Sequence, residues 1–305
     1  MDEVRVLAPA SVSNVVCGFD CLGFALTGPF DEITVRRTGE RTVTIRHLDD
    51  FGLPIDPEKN VAGVALLAMM ERARLDFGFD VEIKKGIKPG SGIGSSAASS
   101  CGAVVAANHI LEDRFSNNQL VGFAMEGERL ASGARHADNV APCIYGGFTL
   151  VRSIEPLDIV PLEFWPLHAT VIHPQIEVRT SDARALLPQQ VLLEVAVRQW
   201  SNLGAFVAAL SRDDHALLSR SMEDLIVEPA RKSLIPKFDE IKHASMTVGA
   251  IGGGISGSGP SIFMLSASPE DASKIASEMR AIFQQTGIEF KIYSSQIGSF
   301  GVQVL

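Results

Sequence analysis

Short runs in which apolar and polar residues alternate are interleaved, along the 305 residues, with longer runs in which apolar positions recur every three or four. The first pattern buries one face of a strand and the second buries one stripe of a helix, so the chain predicts an interleaved α+β protein. Val4–Ala8 alternates like a short strand, and Pro9–Asn14 reads as a polar turn that ends at Gly18, Phe19 and Asp20. Glu32–Arg37 and Thr42–His47 alternate on either side of a charged turn and predict a hairpin. Asn60–Arg74 has helical spacing, with Asn60 placed to cap it. Val81–Ile87 predicts a strand, and a further helix is expected over Asn118–Ser132. His136–Pro142 reads as a polar turn, and Tyr145, Gly146 and Gly147 break the chain before a strand at Phe148–Arg152.

Prolines at 156, 161 and 166 mark a division near residue 160, giving two lobes, 1–160 and 161–305. The second lobe predicts a strand at Leu167–His173, then helices over Gln189–Leu210 and Asp214–Asp224, with another starting at Glu228. A glycine cluster, Gly252–Pro260, leads into the strand Ile262–Leu265, the helix Pro269–Thr286 and a last strand near Glu289–Ser294. No internal repeat is evident in this order.

Between the strand at Val81–Ile87 and the helix at Asn118–Ser132 lies the stretch that organises the chain: Pro89, Gly90, Ser91, Gly92, Ile93, Gly94, Ser95, Ser96, Ala97, Ala98, Ser99, Ser100. Alternating glycines allow positive φ and close approach to a ligand, and a helix start offers unpaired N–H groups and partial positive charge. Strand, glycine loop and small-residue helix together make an anion cradle. The loop lacks the lysine and spacing of the P-loop, and its third glycine comes too early for a dinucleotide fingerprint. Asp76-Phe77-Gly78 has no accompanying His-Arg-Asp loop, so a protein kinase fold is not supported. Glu126 and Glu128, two apart on one helix, point to different sides, so one of them can face a phosphate and hold a cation. A lone histidine such as His136 is more often structural than catalytic.

Composition changes this picture little. With 46% hydrophobic residues the chain can bury a substantial core, and its net charge of −9 argues against nucleic acid or an anionic membrane as main partner. The residues from Met1 to Arg5 show no positive stretch leading into an apolar run, so a cytoplasmic location is expected. Cys17, Cys21, Cys101 and Cys143 are too few and scattered for a disulfide framework and read as reduced packing thiols.

Three motifs in order, Pro9–Asp20, Pro89–Ser100 and Ile255–Ser261, give the chain a resemblance to the GHMP superfamily of galactokinase, homoserine kinase, mevalonate kinase and phosphomevalonate kinase. Within it the chain most closely resembles the homoserine kinases, through His136–Pro142, Thr180–Arg184 and Glu228–Pro236. The resemblance implies a two-lobed GHMP kinase fold, with the phosphate loop in the N-terminal lobe and a mixed α/β sandwich in the C-terminal one. It implies ATP over the second motif, from Pro89, Gly90, Ser91, Gly92, Ile93, Gly94 and Ser95 to Ser96 and Ala97, with Asn60 and Val61 near the adenine. Ser96 and Glu128 would hold Mg2+ as hard oxygen ligands.

For an amino-acid substrate, Asn14 and Asp20 suit the ammonium, Arg184 and Arg231 the carboxylate, and His136 and Thr180 lie on the same side. Each arginine, taken without the resemblance, reads as an ordinary surface ion pair. Asn139 is assigned to position the substrate hydroxyl. Mevalonate and galactose relatives use an aspartate base, but the homoserine kinase pattern leaves Asp138 structural or secondary. The implied reaction is ATP-dependent phosphorylation of L-homoserine by a homodimer. Phosphorylation of another hydroxyl compound such as mevalonate, and nucleotide sensing without catalysis, stay open as alternatives.

Overall fold

The computed structural model of the protein describes residues 2–176, 178 and 180–305. Strand β1 (Glu3–Ser13) buries Val4, Val6 and Ala8, then turns almost wholly inward. It is longer than its alternation predicts. The expected polar turn at Pro9–Asn14 is strand as far as Ser13, because Ser11 and Ser13, 0% and 2% exposed, find a partner for their hydroxyls in the side chain of Asn139. The long β2 (Leu22–Thr38) pairs antiparallel with β1, with a shift in register between Pro9 and Ser11.

The hairpin expected between β2 and β3 (Val43–His47) does not form. Strand β4 (Gly78–Lys84), which follows helix α1 (Val61–Ala73), inserts between them, antiparallel to β2 and parallel to β3. Charge explains the arrangement. Arg36 of β2 and Arg46 of β3 both pair with Glu82 of the inserted strand, and Thr44 bonds Asp80 at 2.6 Å. A Cβ on Gly78 would lie 1.9 Å from the Thr42 carbonyl oxygen, so glycine is what lets the two segments meet there.

Helix α2 (Ser95–Ile110), rich in alanine and serine, packs against β1 and β2. A Cβ on Gly102 would stand 2.5 Å from Ile33 Cδ1, so small residues set the helix close to the sheet. Helices α3 (Asn117–Ser132) and α4 (Val140–Tyr145) flank it; the polar turn expected over His136–Pro142 is present as far as Asn139, and α4 takes over from Val140. Strands β5 (Phe148–Ile154) and β6 (Leu157–Leu162) complete this part of the first sheet.

The second sheet opens with β7 (His168–Pro174) and runs β10-β7-β9-β8. Between β7 and β8 come α5 (Thr180–Ala185), α6 (Leu193–Arg212), α7 (His215–Ser221), α8 (Val227–Arg231) and α9 (Phe238–Thr247). Half of the second glycine cluster is itself a strand: β8 (Gly252–Ile255) pairs with β9 (Ile262–Ser266), and the remainder is the turn between them. After α10 (Pro269–Gln284) and β10 (Phe290–Gln296), β11 (Gln303–Val304) returns to the edge of the first sheet beside β1. Strand β6 therefore crosses residue 160 and belongs to the first sheet. We propose that the lobes divide in the short link between Leu162 and His168.

The two sheets share an aromatic seam. Phe24 of β2 lies 5.0 Å from Phe148 of β5 and 5.6 Å from Phe263 of β9, and Phe148 lies 5.9 Å from Phe206 of α6. These rings are fully buried, and edge-to-face contacts of this kind add about 0.5–1.5 kcal/mol each beyond area burial. Such a seam holds the two sheets at a fixed distance.

Candidate active site

The loop between β4 and α2 is built on three glycines in the left-handed region, two of which have no room for a side chain. Gly90, Gly92 and Gly94 have φ of 72°, 74° and 70°. A Cβ on Gly94 would stand 2.1 Å from Ser11 Oγ, and one on Gly92 would stand 2.6 Å from the Gly259 carbonyl oxygen. The third motif clamps the loop from the other lobe. Ser261 Oγ donates to the Ser91 carbonyl at 2.6 Å and Ser256 Oγ to the Gly92 carbonyl at 2.7 Å, both from fully buried side chains.

Beneath the loop lies an ion pair absent from the sequence-based expectations. The Lys85 ammonium meets the Asp31 carboxylate and donates to the Ser95 carbonyl at 2.7 Å and to Ser99 Oγ at 2.8 Å. Asp31 also accepts from the backbone N–H groups of Gly86 and Ile87 at 3.1 and 3.0 Å, so it secures both sides of the loop. Burial pushes the Asp31 carboxyl up and the Lys85 ammonium down, each opposed by its partner. In sequence the two charges lie 54 residues apart, with nothing local to link them.

A cavity of about 350 Å³ opens over this loop. Pro89, Gly90, Ser91, Gly92, Gly94, Ser95, Ser96 and Val61 line it, whereas Ile93 and Ala97 are fully buried in the core beneath. Asn60 stands outside the lining. Its Oδ1 caps α1 by accepting from the Ala62 N–H at 3.0 Å, and its Nδ2 donates to the Pro54 carbonyl at 2.7 Å.

The two glutamates of α3 part as their spacing requires. Glu126 turns outward to Arg129 and Arg135, at 3.0 and 3.2 Å. Glu128, only 7% exposed, lines the cavity with Ser96 beside it, and among the described residues its Oε1 has no hydrogen-bond partner. Burial pushes its carboxyl up, opposed by a hydrogen bond from Ser96 and by the charge of Lys85. An orphaned buried carboxylate oxygen beside a hydroxyl is a donor set that fits a hard divalent cation.

At the far end of the cavity, Asn14, Asp20, His136, Arg184 and Arg231 converge with Phe19. Asn14 Nδ2 donates to the Gly257 carbonyl at 2.7 Å and its Oδ1 accepts from the Asp20 N–H at 3.0 Å, so its carboxamide joins the first motif to the third. Arg184 Nη2 donates to both Asp20 carboxylate oxygens, at 3.1 and 3.0 Å, and to His136 Nε2 at 2.8 Å. Burial lowers the His136 pKa, with Asp20 opposing and Arg184 adding, which suits a neutral ring that accepts from arginine. Arg231, 2% exposed, donates from Nε to the Ala183 carbonyl at 3.0 Å and from Nη1 to the Gly257 carbonyl at 3.4 Å. Thr180 opens α5, but its side chain lies outside the described residues.

This arrangement is that of a known family. Residues 60–147 match the GHMP kinases N terminal domain and residues 206–285 the GHMP kinases C terminal domain. A homoserine kinase of Chloroherpeton thalassium is 44% identical, covering all of both chains, and one of Methanocella arvoryzae is 39% identical over 100% of this chain and 98% of its own. The crystal structure of homoserine kinase from Cytophaga hutchinsonii superposes with a TM-score of 0.96 at 48% identity, covering 100% of this chain and 98% of that one. The chain belongs to the homoserine kinase family. Leishmania major mevalonate kinase shares only the fold, with a TM-score of 0.71 at 17% identity over 96% of each chain.

In this homoserine kinase scaffold, Asn139 and Asp138 sit between the two ends of the cavity. Asn139 Oδ1 accepts from Ser11 Oγ and its Nδ2 donates to Ser13 Oγ, both at 2.9 Å, leaving a second amide hydrogen for a ligand. The Asp138 carboxyl is pushed up to about 7 by burial, then by Asp20 and Glu128, with a Ser13 hydrogen bond opposing. Between pH 4 and 7 the folded protein therefore holds a proton that the unfolded chain has released, and stability falls as pH rises through that window. The arithmetic of three pKa units puts the loss at roughly 4 kcal/mol. Asp138→Asn is expected to remove this slope, so that the variant gains most on the parent at pH 8. Urea unfolding of the ligand-free protein at pH 5 and pH 8 checks it; equal gains at both would reject the assigned cause.

Proposed function

We infer that this chain is a homoserine kinase in which the cavity over the glycine loop carries γ-phosphoryl transfer from ATP to the side-chain hydroxyl of L-homoserine, giving O-phospho-L-homoserine for threonine synthesis. The observation that carries the reading is the joining of two chemistries in one cavity: an anion-binding glycine loop with Ser96 and Glu128 at one end, and two arginines with a carboxylate at the other.

Phosphoryl transfer asks a protein chiefly for alignment and charge stabilisation. The loop N–H groups and the start of α2 receive the phosphates, and Val61 lies near the adenine. Ser96 and Glu128 would hold Mg2+, which when bound neutralises charge on the phosphoryl group being transferred. Arg231 and Arg184 grip the substrate carboxylate, and Asp20, already balanced by Arg184, shares its charge with the ammonium. Asn139, fixed by Ser11 and Ser13, orients the hydroxyl for in-line attack. Asp138, held near neutrality by its surroundings, is a secondary proton acceptor. We further propose a homodimer working in the cytoplasm; among the described residues no helix is long and apolar enough to cross a membrane.

The test is to incubate the purified protein with Mg-ATP and, separately, L-homoserine, L-serine and R-mevalonate, measuring ADP release and the mass of the product. Phosphohomoserine alone supports the reading. Turnover of mevalonate in its place would overturn the substrate, and ATP binding without turnover would overturn catalysis.

A further inference from the structure

The two arginines raise a problem of their own. They are like charges within one cavity, and Arg184 is among the neighbours that push the Arg231 guanidinium below its ordinary pKa, after burial. Asp20 accounts for Arg184, with which it makes two contacts near 3 Å. For Arg231, the hydrogen bonds found among the described residues run only to the carbonyls of Ala183 and Gly257. The charges of Asp20 and Asp224 act on Arg231 from a distance, and the Phe19 ring stands near both cations, its centroid 5.6 Å from Arg184 Cζ and 5.2 Å from Arg231 Cζ. Both distances fall inside the ~6 Å range over which an aromatic face attracts a cation.

The ring is also rigidly placed. Phe19 stands on a turn tied at both sides: Gly18 N–H donates to the Asn14 carbonyl at 2.9 Å, and Asp20 N–H donates to Asn14 Oδ1 at 3.0 Å. Asn14 in turn donates to Gly257, whose carbonyl also receives Arg231. Ring, turn and Arg231 are thus referred to one carbonyl oxygen. In sequence Phe19 was only an apolar residue in a polar turn, a position for which packing is the default reading.

We propose that Phe19 determines recognition of the substrate carboxylate: its π face holds the guanidinium groups of Arg184 and Arg231 together, at a separation that their mutual repulsion would otherwise widen. The ring offsets part of the positive charge that Asp20 leaves before substrate arrives, without adding a second carboxylate that would compete for the arginines. A hydroxy-acid or amino-acid carboxylate then enters between donors already in place, and the ordering cost of two long side chains is met beforehand. The proposal rests on the reading of Arg184 and Arg231 as the carboxylate grip.

Fluorination tests it, because ring fluorines drain the π face while changing ring volume little. Phenylalanine at position 19 is replaced biosynthetically by its mono-, di- and trifluoro analogues, and homoserine Kd is measured by calorimetry beside the homoserine KM, ATP KM and kcat. Homoserine Kd and KM are expected to rise stepwise, reaching about 3- to 30-fold with the trifluoro ring, while ATP KM stays within about twofold. Phe19→Leu should show a loss at least as large and Phe19→Tyr should restore most of the affinity. A homoserine Kd that is flat across the fluorinated series, even with Phe19→Leu impaired, would reduce Phe19 to packing and overturn the proposal. Parallel rises in ATP KM would also overturn it, as general distortion. If the unsubstituted protein neither binds nor phosphorylates homoserine, the substrate reading falls and the proposal with it; binding by that protein with a flat series removes the proposal alone.

Discussion

Glu128→Gln is expected to lower kcat by about 10²-fold, with homoserine KM changed by no more than about twofold, the pattern of an interaction made chiefly in the transition state. The side chain is buried, its Oε1 is unpartnered among the described residues, and burial drives its pKa upward against Ser96 and Lys85. A carboxylate in that state destabilises the ligand-free protein, since its charge is poorly compensated. A bound divalent cation reverses the balance by favouring the ionised form. Glutamine keeps the shape and loses the charge, so the variant should unfold at a higher temperature than the parent without ligands and gain less from Mg2+ and nucleotide. Thermal unfolding with and without Mg-ADP, set beside the Mg2+ dependence of kcat, reads both effects. If kcat and its Mg2+ dependence are those of the parent, the cation is held elsewhere.

The neighbouring glutamate shows how far spacing alone reaches. Two residues apart on a helix, Glu126 and Glu128 had to face different directions, and that much follows from 3.6 residues per turn. Which of them faced the loop depended on the rotation of α3 against α1 and α2, and so on packing. The same limit applies to the strands. Alternation in Thr42–His47 reports that Val43 and Ile45 face inward, and they do. It carries no record of the neighbouring strand, and the Arg36, Glu82 and Arg46 charges that favour β4 between β2 and β3 are distant in sequence. Helices α1, α2 and α3 were legible because their caps, glycines and apolar stripes are local.

Long-range pairing also hid much of the candidate site. The three motifs could be seen as three separate turns, but not that Ser256 and Ser261 of the third bond the backbone of the second, or that Asn14 of the first bonds Gly257 of the third. Lys85 and Asp31 lie 54 residues apart, and nothing local in the sequence marks them as partners. Burial turns them into the support of the glycine loop. The arginines were the opposite case. Surface ion pairing was the plain reading of both, and it describes Arg184, whose side chain is 41% exposed and bonded to Asp20, better than it describes the buried Arg231.

That difference decides which arginine carries more of the substrate. Arg184 is partly neutralised by Asp20 and screened by solvent, so removing it forfeits a charge already in use. Arg231 is 2% exposed, and among the described residues its hydrogen bonds reach only backbone carbonyls, so an incoming carboxylate meets its charge in a drier setting. Arg231→Leu is therefore expected to raise homoserine KM by about 10²-fold, the scale of one buried charge-assisted pair, with kcat at saturation within about threefold and ATP KM unchanged. Leucine also leaves the Ala183 carbonyl without the Arg231 donor, while Gly257 keeps that of Asn14, at a cost of about 1–3 kcal/mol in stability. Arg231→Lys separates that cost from recognition, since it keeps the charge but lacks the paired donors of the guanidinium, and its homoserine KM should fall between parent and leucine variant. Initial rates across homoserine concentrations at saturating Mg-ATP, with unfolding curves for each variant, make the comparison. If the leucine variant folds and keeps the parent's homoserine KM, the carboxylate is gripped at Arg184 alone, and Arg231 serves to fix α5 against the third motif.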